Sequence, residues 1–229
     1  MYKGKKILAI VPARLSSKRL KQKNIIKVSR GKILINWTYE AIKNSKYIDC
    51  SILSTESEKI KNLATRIGFD VPFKRPKYLS NDHVDSEEVI KHVLKKIKFK
   101  CDYVLLLQPT SPLRNSKDID KSIEHIIDKN FSSLISISAS KKKKKFNVET
   151  KKNLLKFNFN SKKVKKKYFS LNGAIFLAKK KFYLNFSNPF IWQKKNKCTY
   201  IKIPTSRSID IDTMEDLLEC KKIIRKKGN

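Results

Sequence analysis

The chain has 229 residues, 40% of them hydrophobic, which suits one domain with a substantial core and excludes a disordered chain. No apolar run reaches the length of a membrane span. The formal charge is +34, but only 8 of the 54 basic residues are arginine and the lysines are spread over nearly the whole chain; that pattern reads as compositional drift and argues against a nucleic-acid surface, which clusters and uses arginine forks.

In chain order, residues 6–12 (KILAIVP) read as a buried strand. The apolar stretch at residues 7–13 follows a basic N-terminus, but Arg14, Lys18 and Arg19 cut it short. A signal peptide is therefore not expected, and the protein is expected to be cytoplasmic. Residues 34–44 read as a helix with Trp37, Ala41 and Ile42 on one face. A strand is expected at 50–54, then a helix at 57–67 closed by Gly68, and a short strand at 70–73. A helix follows at 86–97, with Ser86 as its N-cap. Residues 102–107 (DYVLLL) form a strongly apolar strand, 117–128 a helix and 134–138 a strand. The rhythm breaks near Ser140, where a lysine-rich stretch holds short extended pieces such as 154–159. It resumes with strands at 173–179 and 200–204. The last helix, at 213–225, opens on a capping box of Thr213 and Asp216. Repeated β-α-β predicts an α/β fold, a Rossmann-like, mainly parallel sheet with helices on both faces. It is one domain over residues 1–229, with an inserted arm at about 140–171. Cys50, Cys101, Cys198 and Cys220 lie far apart without CxxC spacing, so reduced thiols are expected, not a zinc site or a disulfide scaffold. The runs at 141–145 and 162–167 read as solvated surface.

Ligands of open α/β sheets bind beyond the carboxyl ends of the strands. After the first strand comes ARLSSKRLKQKN, whose hydroxyls, backbone N–H groups and cations suit a polyphosphate, although it is not a Walker loop. Arg75–Pro76, Asp82 and Ser86 follow the third strand. After the fourth comes LLLQPTSPLR, in which Gln108 is poorly explained by packing and two prolines stiffen the turn. In SIDIDT, Asp210 and Asp212 are two apart, so on extended backbone both carboxylates face one way. Two such carboxylates beside a triphosphate suit Mg²⁺, which takes hard oxygen ligands.

The order ARxxSK…KN, RP…D…S, LLQPTSPLR, NGAI and SIDIDT resembles the CMP-sialic acid synthetase (acylneuraminate cytidylyltransferase) family, from residue 7 to about 224. The resemblance implies a Rossmann-like domain with a dimerisation arm, hence a homodimer. It implies an enzyme that transfers CMP from CTP to the anomeric hydroxyl of an acidic nine-carbon sugar and releases pyrophosphate. Arg14, Ser17, Lys18 and Lys23 match the loop that holds the CTP phosphates, and Asn24, Arg75 and Ser86 match positions near the cytidine. Gln108 and Asn172 match the sugar pocket. Asp210 and Asp212 match the carboxylates that hold the metal, Mg²⁺ with Mn²⁺ as the alternative. Arg14, Lys23, Asp210 and Asp212 are the expected catalytic set. Three features depart from the family: LSSKRLKQK lacks the usual small residues and proline, lysines at 162–167 replace an arginine-glutamine element, and a His-Pro element is missing. The competing readings are a Kdo cytidylyltransferase and, from other classes, a basic nucleic-acid-binding protein or a noncatalytic relative. No specific nucleic acid and no membrane partner is expected.

Overall fold

Ile7, Ala9 and Val11 enter one apolar cluster while Leu8 and Ile10 enter another, so the first apolar run is buried on both faces. A strand covered on both sides reads as a continuous apolar run and not as an alternation. The structure, a computed structural model, describes residues 1–140, 147–151, 153–157, 168–185 and 198–226. In chain order these form β1 (Ile7–Pro12), β2 (Lys27–Ser29), β3 (Lys32–Ile33), α1 (Leu34–Lys43), β4 (Cys50–Ser54) and α2 (Glu58–Ile67). Then come α3 (Ser86–Lys96), β5 (Tyr103–Leu106), α4 (Ser116–Asp128), β6 (Ser133–Ser140), β7 (Asn147–Lys151) and β8 (Leu154–Phe157). The chain closes with β9 (Tyr168–Lys179), α5 (Lys180–Asn185), β10 (Cys198–Lys202) and a helix over Met214–Lys226, here α6.

The main sheet has the order β10-β6-β9-β5-β1-β4. Its pairs are parallel except where β9 runs antiparallel between β5 and β6. The α/β expectation holds, with one reversed strand inside it. Helices cover both faces: Ile35, Ile60 and Ile119 of α1, α2 and α4 pack on one, Ile90 of α3 and Phe182 of α5 on the other. The chain leaves β1 for β4 on one side and then crosses back to β5 on the other. That reversal opens a crevice at the carboxyl ends of β1, β4 and β5.

Local signals explain most boundaries. The Ser57 hydroxyl accepts the Ile60 N–H at 3.3 Å, and Gly68 closes α2 at φ 113°. Thr213 and Asp216 form the expected box, with Thr213 N–H to Asp216 at 2.8 Å and Asp216 N–H to Thr213 Oγ1 at 3.3 Å. Two expectations are corrected. Residues 70–73 make no strand; only Asp70 bridges Ile52, because Pro72 has no N–H to give to a ladder. Ser86 is the first residue of α3, and Asp85 occupies the cap position without a side-chain bond.

The β6 and β9 strands run on past the main sheet to Ser140 and Tyr168, and β7 pairs with that extension. The arm expected at 140–171 is thus a ribbon in its described part. Phe159 and the lysine runs at 141–145 and 162–167 lie outside the described residues. Leu155, which has no obvious seat in the main sheet by sequence, is buried with Val148 in the chain's own core. None of the four cysteines forms a disulfide. Among the described residues no helix is long and apolar enough to cross a membrane.

Candidate active site

Beyond β1 the backbone stays tied to its neighbour, with Ala13 N–H on Ser54 O at 3.0 Å, and the chain then turns outward. Four of the loop's five cations are paired. Arg14 meets Asp82 at 2.6 Å and donates to Ser80 O at 3.2 Å, and Lys18 meets Asp82 at 2.8 Å. Arg19 and Lys23 share Asp212 at 2.7 and 2.6 Å. Asn24 Nδ2 donates to Arg14 O at 2.8 Å and so fixes the loop's return. Four cations are therefore balanced by two carboxylates, and the loop keeps a positive excess. Lys18 and Arg14 together hold the Asp82 carboxyl below its ordinary range.

The segment after Asp70 brings in Arg75, whose N–H bonds Thr55 O at 2.8 Å. Its guanidinium donates from Nε to Ser80 Oγ at 3.1 Å and from Nη2 to Glu56 Oε2 at 3.0 Å. Glu56 also accepts the Leu15 N–H at 2.8 Å. Burial alone would raise the Glu56 carboxyl; the Leu15 N–H, its own N–H and the guanidinium outweigh that and hold it low.

Below the QPTSPLR turn lies Arg114, fully buried, donating to Gln108 O at 3.2 Å, Ala174 O at 3.0 Å and Thr38 Oγ1 at 2.9 Å. It binds the turn to β9 and α1, and desolvation pushes its pKa down to about 10. The turn in turn seats the acidic segment: Ile211 N–H bonds Thr110 O at 2.7 Å, and the Ile211 side chain is buried between the two aspartates. Asp210 opens to the crevice yet is walled by protein. Desolvation raises its carboxyl, the Asp212 charge adds to the rise, and the Thr110 hydroxyl opposes it. Gly173, at φ 71°, lies against this wall: a Cβ there would sit 3.1 Å from Gln108 Oε1 and 3.5 Å from Asp210 Oδ2.

Arg14, Lys23, Asn24, Arg75, Ser86, Gln108, Asp210 and Asp212 all line one cavity of about 380 Å³, together with Asp82 and Thr110. Ser17 and Lys18 line a neighbouring depression that shares Asp82 with it. Asn172 does not line the cavity. It is buried behind Gly173, where Oδ1 accepts from Ser136 Oγ at 2.5 Å and from Ala174 N–H at 3.2 Å. Its Nδ2 has no partner among the described residues. Glu56 and Gly173 are the additions that sequence reading missed; a lone glutamate after a strand and one glycine in NGAI carry no signal of their own.

No group of three or more His, Cys, Asp or Glu side chains could hold a metal among the described residues. The two aspartates offer hard oxygen atoms at the cavity, and a triphosphate would supply others, which is a donor set that Mg²⁺ accepts. Asp210 has no ion pair among the described residues and its charge is disfavoured by burial, a balance that a nearby cation reverses. The residues present fit the ion.

Residues 8–225 match the family model described as Cytidylyltransferase. The N-acylneuraminate cytidylyltransferase of Escherichia coli O18:K1:H7 is 33% identical over 218 residues, which is 92% of this chain and 50% of that longer protein. The CMP-N,N'-diacetyllegionaminic acid synthase of Legionella pneumophila is 32% identical over 220 residues, 92% of this chain and 93% of the relative. A solved CMP:2-keto-3-deoxy-manno-octonic acid synthetase complexed with CTP shares the fold, with a TM-score of 0.78 over 97% of this chain and 99% of the other, at 16% identity.

Proposed function

Since the chain belongs to the cytidylyltransferase family, whose members are CTP-dependent nucleotidyltransferases, we propose that it transfers CMP from CTP to the anomeric hydroxyl of a nonulosonic acid and releases pyrophosphate. The observation that carries this reading is the convergence of Arg14, Lys23, Arg75, Gln108, Asp210 and Asp212 on one cavity. Those residues come from four separate stretches of chain, and packing alone gives no reason to gather them.

The reaction needs a nucleotide held in line with an acceptor hydroxyl. Arg14 and Lys23 neutralise the phosphates, and charge that builds on the phosphate oxygens is stabilised by cations already in place. Asn24, Arg75 and Ser86 bound the nucleobase. Gln108 faces the acceptor, with Asn172 supporting the adjoining wall from behind. Asp210 and Asp212 would hold a divalent cation, which when bound screens the triphosphate and withdraws charge from it. Holding both substrates together supplies much of the remaining acceleration.

The chain is also proposed to act as a two-fold dimer through its arm. Among the described strands β8 has a ladder partner only in β7, and a ribbon that runs on past the main sheet is the element that would meet a second copy. The nine-carbon acids are preferred over Kdo because two relatives above 30% identity act on them by name, whereas the Kdo-type structure speaks for the fold alone. The test mixes the protein with CTP, Mg²⁺ and a panel of sugar acids and detects pyrophosphate and the CMP-sugar. Product with Kdo only would move the assignment to that acid. No pyrophosphate with any acid would sink the activity.

A further inference from the structure

Glu56 lies two residues beyond the end of β4 and uses both oxygens on different parts of the site. Oε1 accepts the Leu15 N–H at 2.8 Å, in the loop that carries Arg14. Oε2 accepts from Arg75 Nη2 at 3.0 Å. The pair is buried, with side-chain exposures of 13% for Glu56 and 3% for Arg75. Ser80 Oγ takes Arg75 Nε at 3.1 Å, and the Arg75 backbone is pinned to Thr55. Among the described residues no hydrogen bond uses Nη1, so it is the guanidinium nitrogen left to whatever enters the cavity that Arg75 lines.

We propose that Glu56 is a positioning residue for nucleobase selection: it fixes the Arg75 fork so that one N–H edge faces the base, and it ties that edge to the phosphate loop. This rests on reading the cavity as the CTP site. The chemistry of selection is simple. Cytosine presents acceptors at O2 and N3, whereas uracil carries a proton on N3 and would set donor against donor. An arginine discriminates between them only if its fork is held still, because the free side chain has many rotamers. Two bonds from behind, one of them to a carboxylate, supply that hold. Glutamine at position 56 is nearly isosteric but has one acceptor and one donor group. It cannot receive both the Leu15 N–H and the Arg75 N–H, and one of the two contacts becomes donor against donor. Aspartate keeps the charge but is a methylene too short to span both partners.

The experiment measures kcat and KM for CTP and for UTP, with the sugar acid saturating, in wild type, Glu56→Gln, Glu56→Asp, Arg75→Gln and the Glu56→Gln/Arg75→Gln double variant. Far-UV circular dichroism and melting check the fold. The ratio of kcat/KM for CTP over UTP should fall about 10- to 100-fold in Glu56→Gln, the range spanned by one hydrogen bond to a charged group. The loss should appear chiefly in the KM for CTP. Glu56→Asp, which keeps the buried charge and so protects the fold, should lose selectivity too. The double variant should lose no more than Arg75→Gln alone, since both act through one guanidinium. A wild type that prefers CTP, with Glu56 variants that prefer it equally, overturns the inference and leaves the CTP reading intact. A wild type that uses CTP and UTP equally overturns the CTP reading itself, and the inference with it.

Discussion

The Lys23 ammonium lies 2.6 Å from the Asp212 carboxylate, although 189 residues of chain separate the two. Arg19 takes the other oxygen at 2.7 Å. A carboxylate thus occupies cations that the proposed triphosphate needs, and binding the nucleotide exchanges one set of partners for another. Association should weaken with salt, since part of it is the exchange of screened ion pairs.

Asp212→Ala tests that arrangement. Its ion pairs are partly exposed, and such pairs contribute about 0–1 kcal/mol to stability, so the fold and melting temperature should change little. Turnover should fall at least about 100-fold, or roughly 2.7 kcal/mol in transition-state terms. Steady-state assays with Mg²⁺ present are the check. Full activity of the variant would remove Asp212 from the proposed site.

Gly173→Ala probes the wall between the two halves of the cavity. The added methyl meets Gln108 Oε1 at 3.1 Å and Asp210 Oδ2 at 3.5 Å, at a positive φ that side chains disfavour. We expect a stability loss of about 1 kcal/mol and a disproportionate loss of activity, about 10-fold or more, because displacing groups by a fraction of an ångström spoils alignment. Denaturant unfolding and kinetics on one preparation separate the two effects. Unchanged kinetics would mean that Gln108 and Asp210 tolerate displacement.

Much of this was legible because it depends on short-range rules. The buried run at 7–12, the Ser57 and Gly68 signals and the Thr213–Asp216 box are local, and each has its counterpart in the structure. Strand-end reasoning led to Arg14 and Gln108 because they follow the strongest apolar runs, and the spacing of two in SIDIDT pointed to Asp210 and Asp212. What was not legible depends on pairing at a distance. Nothing near Asn172 says that its carboxamide turns inward to Ser136. Glu56 acquires meaning only once Leu15 and Arg75 are beside it. The reversed direction of β9 follows from its return between β5 and β6, which no local pattern encodes. The seat of Leu155 is hidden for the same reason: it is made by a ribbon that sequence patterning does not announce.

Arg114 should be the most fragile residue of the turn. It is buried without a carboxylate at bonding distance among the described residues, and it satisfies the carbonyls of Gln108 and Ala174. Arg114→Leu fills similar space but strands those acceptors and the Thr38 hydroxyl, at about 1–3 kcal/mol for each buried group left unpaired. Urea unfolding should show a loss of about 3 kcal/mol or more. Arg114→Lys should rescue only part of it, since an ammonium cannot reproduce the fork. A variant as stable as wild type would show that the turn is held by its prolines alone.

Glu87 makes its own contribution to the pH dependence of stability. It sits in the first turn of α3, only 5% exposed, and burial pushes its carboxyl from 4.5 up to about 7. Asp85 and Glu88 add to the rise, while its own backbone N–H and Lys91 oppose it. Between those two pH values the folded chain holds a proton that the unfolded chain has already released. The unfolded state then binds fewer protons at this group, so the Glu87 contribution to stability falls as pH rises through the window and levels off above about 7. The size of the effect is about 3 kcal/mol at 1.36 kcal/mol for each pH unit. Glu87→Gln removes the titration and keeps the shape. It should therefore be more stable than wild type by about that amount at pH 8, with the gap closing toward pH 4. Urea unfolding of both proteins from pH 4 to 8 measures the gap directly. A gap that stays constant across the range would mean that Glu87 does not titrate there and that its burial is compensated in the charged form.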